Sequence, residues 1–200
     1  MKKTLPLILV LFLTPLISNC ATIYGTAMDE RNVGTIASDH KIKSGILSKY
    51  ADDEHVGVLD FSVSSYEGHV YLIGEYETGT QKNKAIQIAK SQEGVADVTT
   101  YLLRKNPKSL CSTAKNLELT ASVKAKLVGD KDISSTNIDV KTIQCITVLW
   151  GLVGSKTEIN KAIAHAKSVD GVAKVNHQLE TIRGLSALVN IISSNSSVTG

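Results

Sequence analysis

The chain has 200 residues, a formal net charge of +3, 42% hydrophobic residues and only six Tyr, two Phe and one Trp. So weak a basic excess and so few aromatics exclude a nucleic-acid binder. No GxSxG, HExxH, CxxC or phosphate-binding glycine loop occurs, so no catalytic role, metal or cofactor is expected.

Lys2 and Lys3 precede an apolar run from Leu5 to Ile17, short for a membrane span and shaped like a secretory signal. Pro6 and Pro15 interrupt the run, which argues against a retained anchor helix. It closes on Leu16-Ile17-Ser18-Asn19-Cys20-Ala21. This resembles a bacterial lipoprotein signal, which implies removal of residues 1–19 and lipidation of Cys20, with 20–36 as a tether. Ordinary cleavage at Ala21 or Ala27 is the alternative. Lipidating Cys20 leaves Cys111 and Cys145 as an even pair in an oxidising compartment. A Cys111–Cys145 disulfide is therefore expected, with two independent thiols as the alternative.

The remainder contains one unit twice. Residues 39–103 displaced by 77 fall on 116–180 without a gap, so that Asn83-Lys84-Ala85-Ile86 meets Asn160-Lys161-Ala162-Ile163, and Gly74 and Gly94 meet Gly151 and Gly171. Ile42, Ile46 and Tyr50 recur every four residues and predict a helix with one apolar face, as do Leu119, Val123 and Leu127. Alternation over Phe61, Val63 and Ser65, a turn at Glu67-Gly68, then Val70 and Leu72 predicts a strand pair. Ile138, Val140, a turn near Gln144-Cys145, Thr147 and Leu149 repeat it. Gly74 and Gly151 are expected to end those strands, where a side chain would obstruct backbone packing. Thr80 and Thr157 are expected to cap a second helix, buried through Ala85, Ile86 and Ala89 and through Ala162, Ile163 and Ala166. Gly94 and Gly171 suit left-handed positions after it, and last strands follow at 98–103 and 175–182. Trp150, on the second strand of the second unit, is expected in a contact between the two sheets.

The order helix-strand-strand-helix-strand resembles the BON domain. Its V-x-L-x-G motif appears as Val70-Tyr71-Leu72-Ile73-Gly74, and its helix-Gly-Val-x-x-Val ending appears as Gly94-Val95-Ala96-Asp97-Val98 and Gly171-Val172-Ala173-Lys174-Val175. The second unit departs from the strand motif, with Thr147 for its Val. A lipoprotein signal followed by two such units resembles the DolP (YraP)-like outer-membrane lipoproteins. The resemblance implies an α+β fold of two tandem BON domains at 37–104 and 116–182. Each would be α-β-β-α-β, with a three-stranded mixed sheet packed on two helices. A basic linker (105–115) would join them, and a tail (183–200) would follow. Within that tail Leu185, Leu188, Val189 and Ile192 form one apolar stripe if helical.

The resemblance further implies a non-enzymatic protein facing the periplasm from the outer membrane, which binds anionic phospholipid and helps maintain envelope integrity. Charge agrees with a division of labour. Residues 39–103 carry six basic and ten acidic groups, 104–115 four basic and none acidic, and 116–180 eight basic and seven acidic. By the resemblance, the first helix of the second unit contacts lipid, here through Leu117 and Leu119 with Lys124 and Lys126. It has no tryptophan near its start, so binding would rest more on charge. A scaffold for envelope proteins, without lipid affinity of its own, is the alternative.

Overall fold

The computed structural model describes residues 33–181. The signal segment, Cys20, most of the tether and the C-terminal stripe lie outside the described residues. The first unit runs α1 (Val33–Ala51), β1 (Phe61–Tyr66), β2 (His69–Tyr76), α2 (Gly79–Lys90) and β3 (Asp97–Arg104). The second runs α3 (Thr113–Gly129), a short 3-10 turn (Ser135–Asn137), β4 (Ile138–Ile143), β5 (Ile146–Val153), α4 (Lys156–Lys167) and β6 (Lys174–Thr181). Each sheet is three-stranded and mixed. β2 pairs antiparallel with β1 and parallel with β3, and β5 does the same with β4 and β6. The parallel partner is reached by a helical crossover, because no tight turn can join parallel strands.

The helices cover one face of each sheet. Ile42, Ile46 and Tyr50 of α1 pack on Val63, Val70 and Leu72, and Leu119, Val123 and Leu127 of α3 pack on Val140, Leu149 and Leu179. Strand alternation sends the intervening residues to the opposite face. There Tyr66, Tyr71 and Ile73 of the first sheet meet Ile143, Val148, Trp150 and Leu152 of the second. Trp150 thus fills the inter-sheet layer, although its indole N–H has no hydrogen-bond partner there. Asp139 accepts hydrogen bonds from the Ser64 and Tyr66 hydroxyls, and Asn176 donates to the Tyr101 hydroxyl at 2.7 Å, which fixes the units against each other at two further points.

Three expectations are corrected. Thr78 and Ser155, not Thr80 and Thr157, accept the first-turn N–H groups, those of Gln81 (3.1 Å) and Glu158 (3.2 Å). The helices begin two residues earlier than expected, and the two threonines lie inside their first turns. Gly74 and Gly151 do not end their strands, because pairing with β3 and β6 continues to Tyr76 and Val153. The close approach they permit is real: a Cβ on Gly151, at φ +138°, would collide with the Asn137 carbonyl oxygen. In the second helices Ile86 and Ile163 are only partly buried, while Ala85, Ile88 and Ala89, and Ala162 and Ala166, are buried.

The two hairpin turns reach the same shape by different means. Glu67 and Gly68 lie at φ 54° and 79°, and Gln144 and Cys145 at φ 52° and 63°, the doubly left-handed geometry that suits the twist of a two-residue hairpin. In the first unit the buried Asp39 carboxylate holds the turn, accepting from the N–H groups of Glu67 (2.9 Å) and Gly68 (3.0 Å) and from the Ser65 hydroxyl (2.7 Å). Asn116, the residue that matches Asp39, accepts only from the Cys145 N–H (3.1 Å) among these. The difference is made up by a disulfide between Cys145 and Cys111, whose Cα atoms are 5.5 Å apart.

The bridge and the glycine are thus alternative ways to hold one turn. Cys111→Ser with Cys145→Ser is expected to lose about 3 kcal/mol. Cys111→Ser with Cys145→Gly should lose about 1 kcal/mol less, since glycine has no steric penalty in the left-handed region. Urea unfolding of both variants measures this, and equal losses would separate the bridge from the turn. A second expectation concerns alkali. Burial pushes the Tyr50 and Tyr71 phenols above the ordinary tyrosine range. The stability this represents is whole below about pH 10, the unfolded-chain value, and is lost as pH rises towards the raised folded values. Tyr50 donates to the Ala85 carbonyl at 2.9 Å, so Tyr50→Phe should cost about 1 kcal/mol at neutral pH yet decline less in alkali. Parallel declines of wild type and variant above about pH 10 would rule Tyr50 out as the source.

Candidate membrane-contact surface

The second unit's first helix presents two faces. Ser112 caps it, accepting from the Lys115 N–H at 3.2 Å. With about 100° per residue, Leu119, Val123 and Leu127 share the core side, and Leu117, Ala121, Lys124 and Val128 share a sector about 60° wide on the outer side. Leu117 and Val128 are 66% and 72% exposed, and Ala121 and Lys124 are exposed between them. Leu110, fully exposed, precedes the helix in the linker. The result is an outward apolar stripe about 16 Å long with a cation within it.

This geometry separates residues that the sequence grouped. Leu119 is 1% exposed and belongs to the core, so its side chain is not available at the surface. Residues two apart on a helix lie on opposite sides, and Leu117 and Leu119 illustrate it. Lys126 is exposed but lies off the stripe, donating to the Ser168 hydroxyl at 3.0 Å. The linker's positive charge is partly spent locally. Lys105 pairs with Glu77 at 2.7 Å and Lys115 with Glu118 at 2.8 Å, leaving Lys108 exposed. Val128 was legible from its spacing of eleven residues from Leu117; no signal in the sequence marked Leu110 as exposed.

Beside the start of α3 a cleft of about 460 Å³ opens between the units. Leu59, Asp60, Glu75 and Lys105 line it from the first unit and its linker, and Leu117 and Lys141 from the second. Lys141 is partly buried, and desolvation holds its ammonium below the ordinary lysine range, opposed by attraction to Glu75 and Asp60. Among the described residues no group of three or more His, Cys, Asp or Glu side chains is placed to hold a metal ion. None of the described helices is long and apolar enough to cross a membrane.

The BON-domain family profile matches residues 38–105 and again 116–183, the two units just described. The chain belongs to the BON-domain family. Its similarity to curated relatives extends across both units. Osmotically-inducible protein Y of Escherichia coli is 31% identical over 151 residues, 74% of this chain and 75% of that protein. Outer membrane lipoprotein DolP of Haemophilus influenzae is 29% identical over 150 residues, 74% of this chain and 77% of that protein. The 21 kDa hemolysin of Actinobacillus pleuropneumoniae is 24% identical over 149 residues, 74% and 76% of the two chains.

Proposed function

We propose that this BON-domain protein is a non-enzymatic lipoprotein. It is anchored through Cys20 in the outer membrane, faces the periplasm, binds anionic phospholipid and helps to maintain envelope integrity. The observation that carries the reading is the outer stripe of α3. Exposed Leu117 and Val128 with Lys124 between them form an apolar surface bearing a positive charge, the combination that lies in the interface of an anionic membrane. The matching face of α1 carries His40, Ser44, Leu47 and Ala51, with one large apolar side chain that is itself half-buried, which favours the second unit as the contact. The likeness to a relative named as an outer membrane lipoprotein supports the location.

One stripe of this size binds weakly, and a lipid tether raises its effective concentration at the bilayer. Mature protein lacking the acyl chain is expected to co-sediment with anionic vesicles, to release at high salt, and to ignore zwitterionic vesicles. Lys124→Glu should weaken sedimentation about thirtyfold, since a basic group near such a surface contributes about 1 kcal/mol and a charge reversal doubles it, and Leu117→Glu, which adds one negative charge and removes an apolar contact, should weaken it about tenfold. Lys126→Glu should weaken it less. Absence of wild-type protein from both vesicle pellets would leave a scaffold for envelope proteins as the better account.

A further inference from the structure

The contact between the sheets is made by the same patch on both units. Tyr66, Tyr71 and Ile73 of the first meet Ile143, Val148 and Trp150 of the second, and these are the same three positions of the repeat. A patch packed on its own counterpart implies a twofold relation, in which each contact between the units has a reciprocal one. The reciprocal of Tyr66 with Asp139 is Ile143 with Ser62, and those two residues line one cleft. A further contact lies at the end of β3. The Gln144 amide, in the second unit's turn, donates to the Arg104 carbonyl at 2.8 Å. Seven residues after Arg104, Cys111 is bridged to Cys145 in that same turn. By the twofold relation the first unit's turn, Glu67-Gly68, belongs beside Thr181 at the end of β6. Chain leaving Thr181 is then placed to close that turn, as the linker closes the other.

What the linker covers in the second unit is open in the first. Cys111 is buried in one cluster with Leu119, the side chain that Gly171 faces. The first unit has Ile42 and Gly94 at these positions, and there a pocket of about 750 Å³ is lined by Gly34, Asp39, Ile42, Glu67, Gly68 and Gly94. Cys111 has two counterparts at the repeat distance. One is Gly34, which lines the pocket and has no side chain to fill it. The other is Leu188, seven residues beyond Thr181 as Cys111 is seven beyond Arg104. We propose that the C-terminal segment 182–189 straps the first unit and seats Leu188 in this pocket, over Gly68. A leucine fits where the second unit has a cysteine, because the turn residue beneath it is Gly68 and not Cys145. Charge agrees, since Glu67, Glu93 and Asp39 line the pocket against Lys41 alone, and Arg183 is the one charged side chain of residues 182–200. The linker would then tie the first unit to the second unit's turn, and the tail would tie the second unit to the first unit's turn. Leu188 would be held by the protein, which leaves the outer stripe of α3 as the open apolar surface.

The test is NMR of the acyl-free protein from Ala21 to its C-terminus. With Cys111 and Cys145 bridged, Asn190→Cys supplies a single thiol for a nitroxide label and leaves Leu188 in place. The amide signals of Ile42, Gly68 and Gly94 are expected to lose most of their intensity beside the label. Those of Leu117 and Val128, in the opposite helical layer, should keep theirs. In unlabelled protein Leu188→Asp should shift the Ile42, Gly68 and Gly94 amides, and Leu188→Met should leave them in place. Intensity lost at Leu117, Ala121 and Val128 instead would put the tail on α3 and overturn the strap. Full intensity throughout the first unit would overturn it too, and would leave the pocket to the N-terminal tether or to another molecule. Should Leu188→Asp disturb both helix–sheet cores, the labelled protein, whose Leu188 is intact, decides alone.

Discussion

A three-stranded sheet has two faces, and two helices cover only one. Everything else in this protein follows from how the second face is removed from water. The Tyr66, Tyr71 and Ile73 face of the first sheet and the Ile143, Val148, Trp150 and Leu152 face of the second bury each other. A tyrosine or tryptophan side chain buries about 150–250 Å², so the three aromatic residues of this layer make its burial a large stabilising contribution. The units are therefore not independent beads on a linker. Their orientation is set by the inter-sheet layer, with Asp139 accepting from Ser64 and Tyr66 at one place and Tyr101 accepting from Asn176 at another.

That constraint fixes where chemistry can occur. With both sheets occupied on both sides, the helices are the outermost elements, and α3 directs one side of its surface away from the molecule. The same arrangement brings the end of β2, with Glu75, beside β4, with Lys141, and so creates the cleft. Neither unit alone contains that cleft. The cleft thus belongs to the pair, while the fold of each unit belongs to the repeat.

The sequence displayed the repeat well because its signals are local. Period-four apolar spacing specified α1 and α3, alternation specified the hairpins, and glycines at matched positions located left-handed turns and a close approach. Cap positions were displaced by two residues because Thr78 and Thr80 are chemically equal candidates, and only the entry angle of the chain chooses between them. Leu119 was assigned both to the core and to the surface from sequence; the fold allows only the first. The pairing of Lys105 with Glu77 and the placing of Lys141 near Glu75 and Asp60 depend on contacts between residues 28 or more positions apart, which no local pattern encodes. Trp150 was assigned correctly to the inter-sheet layer because alternation alone sends it to the face opposite Leu149.

The two copies of the scaffold differ at particular places. Asp39 became Asn116, and the lost turn contacts were replaced by a disulfide that also ties the linker to the β4–β5 turn. The bridge holds Cys111, which lies between Leu110 and the start of α3, against the β4–β5 turn. Ile73 became Trp150, which thickens the inter-sheet layer from the second unit's side, and Ser64 became Lys141, which puts a cation at its margin. The outer face changed from His40, Ser44 and Ala51 to Leu117, Ala121 and Val128. Of these changes only the disulfide reaches a helix–sheet core, where Cys111 is buried and Cys145 packs beside it, while Ile46, Leu72 and Ala85 match Val123, Leu149 and Ala162. Divergence has run along the surfaces that the back-to-back packing creates or leaves free, and within the cores it has exchanged Tyr50 and Phe61 for Leu127 and Ile138 while keeping both positions buried and apolar.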